Sequence, residues 1–299
     1  MRGAQARAAV TPAFERRSAR PADYLALTKP RLNALVVATS AAGAYLGGAE
    51  PTAAGLVPAV AGTALVAAGA AVLNQWYERE TDGLMQRTRL RPLPDHRVAP
   101  VEAVVFGLAL AAAGLATLAL ATNAFATALA VTTLVVYLLI YTPMKRRSTA
   151  ATLVGAIPGA LPPLIGWTAS AGHVSAGGLA LFAIVFLWQI PHFMAIAWLY
   201  RDDYAKAGFP MLPVIDGDGR RTGREAVLYA AALVPVSLVP AFTGVSGPGY
   251  LVIALALGLA LLTLAWRFAA RRDEISARRL FFGSIVYLPV LWIVMILDA

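Results

Sequence analysis

The chain has no cysteine, only three histidines and little charge. Without cysteine, disulfides, thiolate metal sites and cysteine nucleophiles are all excluded. No GxxxxGK(S/T) loop occurs, so any phosphate recognition must rest on metal and basic side chains. The first 24 residues are rich in Arg and Ala but lack the apolar core of a secretory signal. Charged residues make up 14% of the 299 and hydrophobic ones 59%, whereas a soluble domain carries about 25% charge. That balance excludes a soluble globular protein.

What the chain does have is a series of apolar runs, most of them near the roughly 17–25 residues that cross a bilayer as a helix. They fall at about Leu32–Leu46, Ala53–Leu73, Val101–Ala121, Phe125–Tyr141, Ala150–Ser170, Gly178–Leu199, Ala226–Thr243, Tyr250–Trp266 and Leu280–Leu297. The fold class expected is all-α: a polytopic membrane bundle of nine transmembrane helices. Residues 1–24 read as a disordered cytoplasmic tail, with a mitochondrial targeting segment as the alternative, and residues 25–299 as a single transmembrane domain.

The net charge of +9 does not point to nucleic acid, because the basic residues lie between the apolar runs. Seven Lys and Arg precede the first run, and five, three, five and five occupy alternate loops. The other connections, around Glu50, Thr122, His173 and Val245, hold none. Positive residues stay inside during insertion, so the N-terminus is expected in the cytoplasm and the C-terminus outside. The two longest inner loops, after the second and sixth spans, mix acids with bases. They lie four helices apart, which suggests two related four-helix halves plus a ninth helix.

The first of these loops reads NQWYERETDGLMQRTRLRPL, Asn74 to Leu93. Asn74, Glu78 and Asp82 recur every four residues; on a helix they drift only about 80° and share one face. Two carboxylates and an amide at a membrane boundary form an oxygen-rich site suited to a hard divalent cation such as Mg2+. Arg87, Arg89 and Arg91 follow, and arginine matches phosphate oxygens in bidentate geometry. Metal ligands beside phosphate ligands suggest a diphosphate substrate. The plainer reading is a charged loop that only sets topology.

The second loop reads LYRDDYAKAGFPMLPV, Leu199 to Val214. Asp202 and Asp203 are expected to end the sixth helix, where the dipole opposes them and a bound cation would offset the cost. An exposed interfacial cluster is the alternative. Tyr204 and Lys206 follow. Tyr141, Thr142, Met144, Lys145, Arg146 and Arg147 form a third patch at the same surface, either a positive-inside anchor or diphosphate ligands through Lys145 or Arg146. His192, after Pro191, lies inside a span, and an ionisable residue there is a functional hypothesis by default. It could ligate heme iron, move a proton, or hydrogen-bond a neighbouring helix. Asp216-Gly-Asp-Gly lacks the remainder of a calcium-loop pattern.

These segments resemble the protoheme IX farnesyltransferase (heme O synthase) branch of the UbiA-type intramembrane prenyltransferases. The marks are LTKPR at 27–31, NQWYERETDGLMQRTRLRPLP at 74–94, YTPMKRRS at 141–148, GAIPGALPPLIGW at 155–167 and WQIPHFMAIAWLYRDDYAKAGFPMLPV at 188–214. The match is close over roughly 28–214 and looser beyond. Glu78 stands where the family usually has aspartate, Asp95-His96 replaces a Ser/Thr-Gly pair, and TAATLV after Ser148 lacks the usual Asn-Ile-Val-Ile. Quinone-type members carry a second aspartate pair four residues before Asp202 and Asp203; here Trp198 and Leu199 stand there.

The resemblance implies a nine-helix bundle around a central cavity open to the cytoplasmic side and to lipid. It implies transfer of farnesyl from farnesyl diphosphate to a vinyl group of protoheme IX. Asn74, Glu78, Asp82 and Asp203 would hold Mg2+ and act catalytically, with Asp202 as a further metal ligand. Arg87, Arg91, Lys145 and Arg146 would bind diphosphate, with His192 and Tyr204 also contacting substrate. Heme would be a substrate and not a permanent cofactor. A bacterial inner membrane is expected, with a mitochondrial inner membrane as the alternative and a downstream heme A synthase as a candidate partner. Rival readings are prenylation of a quinone precursor or chlorophyll-type acceptor, membrane transport, and heme binding without catalysis.

Overall fold

A computed structural model of the protein describes residues 19–48 and 53–299, with side chains between 53 and 55 excepted. The order is α1 (Pro21–Leu27), α2 (Pro30–Leu46), α3 (Ala53–Asp82), α4 (Pro100–Ala121) and α5 (Ala124–Leu134). A π-helical stretch (Val135–Tyr141) and α6 (Thr142–Met144) carry α5 on as one span. Then come α7 (Ala151–Ala171), α8 (Ala176–Leu199), α9 (Arg201–Lys206), α10 (Leu212–Ile215), α11 (Arg220–Phe242), α12 (Pro248–Arg271) and α13 (Glu274–Leu297). No strand occurs among the described residues.

Eight of these helices are long and apolar enough to cross a membrane. The helix α2, at 17 residues, falls just short of them in length, so the described residues agree with about nine spans. At 1.5 Å per residue it reaches about 25 Å, the low end for a bilayer core. Several helices outrun their apolar stretches: α3 runs on to Asp82, α11 starts at Arg220 and α13 at Glu274. Backbone groups at a membrane surface are best satisfied inside a helix, so polar flanks join the spans. Proline at the first turn of α2, α4 and α12, and the side chains of Asn123, Ser175 and Asp273 accepting from their own first turns, set the starts.

One expectation needs correction. Residues 1–18 and Glu50 lie outside the described residues, but residues 21–24 of the expected tail are helical. Asp23 and Leu27 are buried, Arg97 pairs with Asp23, and Gln75 Nε2 donates to Leu27 O at 2.5 Å. These contacts cover the polar ends of so short a helix and hold α1 against α3 and the following loop.

Two sets of helices pack in parallel fashion: α2, α3, α4 and α5 in sequence, then α7, α8, α11 and α12, with α13 against α8 and α12. The sets meet where α2 crosses α7. That crossing is made by glycine: a Cβ on Gly43 would overlap Pro163 O, and one on Gly166 would overlap Ser40 O. Helices in lipid gain little from apolar burial, so close backbone approach through small residues is what holds them. The centre is α7, with 72% of its apolar window buried, against 11% for the α5–α6 span that faces outward. Polar contacts secure the centre too. Gln189 of α8 donates to Ala156 O of α7 at 3.2 Å, across a backbone that only glycine at 159 leaves open.

Candidate active site

Asn74, Glu78 and Asp82 are all buried along one side of the last turns of α3. Each meets a cation from another segment. Lys145 Nζ, just past α6, lies 2.9 Å from Glu78 Oε1 and 3.2 Å from Oε2. Arg91, in the loop after α3, donates to Asp82 Oδ2 at 2.7 Å. Lys29, between α1 and α2, donates to Asn74 Oδ1 at 3.3 Å. The Asn74 amide nitrogen donates to Thr142 Oγ1 at 3.1 Å, which orients the oxygen towards Lys29.

The backbone around these groups is irregular for a reason. Pro143 has no N–H, and the helix widens into its π stretch immediately before it. Both the N–H and the hydroxyl of Thr142 then serve Tyr137 O, the hydroxyl at 2.7 Å. This turn delivers Thr142 and Lys145 to α3. Lys29 itself is left-handed, with φ 50°. Pro30 disfavours the right-handed helical region for the residue before it, and a non-glycine left-handed residue costs on the order of 1–3 kcal/mol. Lys29 O accepts from Leu32 and Asn33 N–H, both at 3.0 Å, and Asn33 Nδ2 donates to Thr28 O at 2.6 Å. Burial, then the Arg91 charge, lowers the Lys29 ammonium to about 7.

The two acid-bearing loops do meet. Met85 packs with Ala207, Phe209, Tyr204 and Met211, and the Arg87 guanidinium lies 5.5 Å from the centre of the Tyr200 ring. Lys145 sits over the rings of Tyr141 and Phe209 at 5.2 and 5.5 Å. Arg87 and Arg146 are exposed at this surface.

The aspartate pair departs from expectation. Helix α8 ends at Leu199, and Asp202 and Asp203 lie in the first turn of the separate α9. There the dipole favours carboxylates, so no cation is needed to offset it. The Asp202 side chain is 86% exposed, and Asp203 is half-buried. Among the described residues, no three of His, Asp and Glu gather as a metal cluster. Asn74, Glu78 and Asp82 remain as the buried oxygen-bearing residues on one side of α3. Their donors are all oxygen and buried, which fits a hard divalent cation.

His192 stands apart from that set. Its ring stacks on Trp188 and on Phe281 of α13, each at 5.1 Å. The Ser284 hydroxyl donates to Phe281 O at 2.6 Å, so its oxygen is free to accept from His192 Nδ1 at 2.7 Å. With that hydroxyl assignment Nδ1 is the donor, and the tautomer that fits presents its lone pair at Nε2.

Sequence reasoning missed Lys29, Thr142 and Ser284. Lys29 had a signal, a lysine before proline at the start of the first span. Thr142 stood in the third patch without a role of its own, and Ser284 had no signal, since its partner lies 92 residues away.

The chain matches the UbiA prenyltransferase family over residues 35–286. It is 47% identical over 288 residues to the protoheme IX farnesyltransferase of Solibacter usitatus (strain Ellin6076), covering 92% of this chain and 98% of that one. The protoheme IX farnesyltransferase of Myxococcus xanthus (strain DK1622) is 44% identical over 277 residues, covering 92% and 94%. Among solved structures, a digeranylgeranylglyceryl phosphate synthase superposes with a TM-score of 0.78 at 18% identity, covering 93% of this chain and 97% of that one. A UbiA homolog from Archaeoglobus fulgidus bound to GPP and Mg2+ gives 0.59 at 17%, covering 91% and 99%. From sequence and fold together, this chain belongs to the UbiA prenyltransferase family.

Proposed function

We propose that the protein transfers the farnesyl group of farnesyl diphosphate to a vinyl group of protoheme IX, releasing diphosphate and yielding heme O. The observation that carries this reading is the buried cluster on α3, where three oxygen ligands and three cations converge. The choice of acceptor follows the relatives at 44–47% identity over 92% of the chain.

Asn74, Glu78 and Asp82 would hold Mg2+, which supplies Lewis-acid stabilisation of the departing diphosphate oxygens. Lys29, Arg91 and Lys145 bind the same diphosphate, with Arg87 and Arg146 guiding it from the surface. Their charge stabilises the oxygens as the allylic C–O bond breaks and its electron pair leaves with diphosphate. The vinyl π pair then attacks the farnesyl cation. Water adds to the resulting carbocation and loses a proton, leaving a hydroxyl. His192, held between the Trp188 and Phe281 rings, would meet the heme substrate through Nε2. Asp203 and Tyr204 contact substrate from α9. The protein works in a bacterial inner membrane with its N-terminus in the cytoplasm.

The test uses purified protein in detergent with protoheme, farnesyl diphosphate and Mg2+, and reads products by mass spectrometry. A heme heavier by farnesyl plus hydroxyl should form. Chelation of the metal should abolish it, and Asp82→Asn should lower turnover about 100-fold or more. If a quinone precursor is prenylated and protoheme is not, the acceptor is wrong.

A further inference from the structure

Three segments of the chain meet on Arg97. Its Nη2 donates to Leu90 O at 2.7 Å and its Nε to Asp95 Oδ2 at 2.8 Å. Its Nη1 pairs with Asp23 of α1. Asp23 is only 6% exposed, and its other oxygen accepts from the Arg20 N–H at 3.0 Å. An arginine kept only as an inside charge needs no such fixed partners. A lysine's single nitrogen could not reproduce this fork.

Both ends of the fork lead to the candidate site. Leu90 precedes Arg91, whose guanidinium meets Asp82. On the far side of Arg91 the chain folds back, with Asp95 N–H donating to Arg91 O at 3.0 Å and Arg97 N–H to Pro92 O at 2.9 Å. Asp23 belongs to α1, and Leu27 at the end of α1 accepts from Gln75 of α3. Leu27, Leu93 and Val98 share a buried apolar cluster with Val72 of α3. Arg97 thus braces the turn that carries Arg91 against α1, and α1 is itself fixed to α3.

We infer that Arg97 is a positioning residue: it holds the Arg91 turn through Leu90 O and Asp23, and so sets diphosphate affinity without being a ligand. This inference rests on the reading above in which Arg91 binds diphosphate. The effect of Arg97 passes through Arg91, so the two residues do not act independently.

Isothermal titration of the full chain in detergent tests this, with inorganic diphosphate as probe and Mg2+ held constant. Arg91→Gln and Arg97→Gln should each weaken binding about tenfold or more, as misplacement of a binding group does. The double variant should be no more than about twofold weaker than Arg91→Gln alone, because the two residues lie on one path. Arg97→Lys should not restore affinity, since the fork and not the charge is what counts. Thermal melting confirms folding of each variant. If Arg97→Gln does not fold, Asp23→Asn takes its place in the cycle and leaves Arg97 its acceptors on Leu90 and Asp95. Losses that multiply in the double variant, or full affinity in Arg97→Gln or Arg97→Lys, overturn the inference and leave Arg91 as a ligand. Full affinity in Arg91→Gln, or no binding by the wild type, overturns the reading beneath it as well.

Discussion

Removing Lys145 leaves the Glu78 carboxylate buried with no cation against it. Breaking a buried pair from one side costs about 3–5 kcal/mol, whereas replacing both partners is far milder. Lys145→Met should therefore lower the unfolding temperature in detergent, and Glu78→Gln added to it should recover most of the loss. A second residue-level expectation concerns His192. Ser284→Ala removes the acceptor that holds the proton on Nδ1, so 15N NMR of the imidazole should change from one tautomer to a mixture. The shared face of Asn74, Glu78 and Asp82 was legible, because a four-residue spacing on a helix is local geometry. The cations that face them were not all legible. Lys29 reaches Asn74 across 45 residues, and no local pattern marks such a partner.

Between elements, the crossing of α2 and α7 depends on two backbones touching. Gly166→Ala should destabilise by about 1–3 kcal/mol, because the added methyl meets backbone and not a yielding side chain. Gly217→Ala, where nothing lies within 4 Å, should leave the melting temperature unchanged. Hydropathy placed the spans well but ended several too early, since charge stops an apolar run without stopping a helix. Arg220 through Glu225 continue α11 although six positions include three arginines and a glutamate. The break between α8 and α9 was illegible for the converse reason. Tyr200 interrupts the helix with no proline or glycine to announce it, and that break turns Asp202 and Asp203 from a strained helix end into a favoured first turn.

For the whole molecule, the lack of cysteine makes orientation directly testable. Single changes His173→Cys and Ala150→Cys place thiols at exposed positions on opposite sides of the bundle. In intact cells an impermeant maleimide should label the first and not the second. Read in order, the residues were enough to specify a bundle of about nine membrane helices whose basic loops alternate with loops lacking Lys and Arg. Apolar run length and the placement of charge are properties of the chain read in order. Tertiary structure alone decided which of those charges become a site. Glu78 and Asp82 are each matched by a cation because α3, the loop after it and the π-widened end of the fourth span converge. Asp202 stays exposed in the first turn of α9 while Tyr204 of the same helix packs towards Met85. Pairing between distant segments depends on how helices cross, and close glycine contacts set those crossings without leaving a periodic trace.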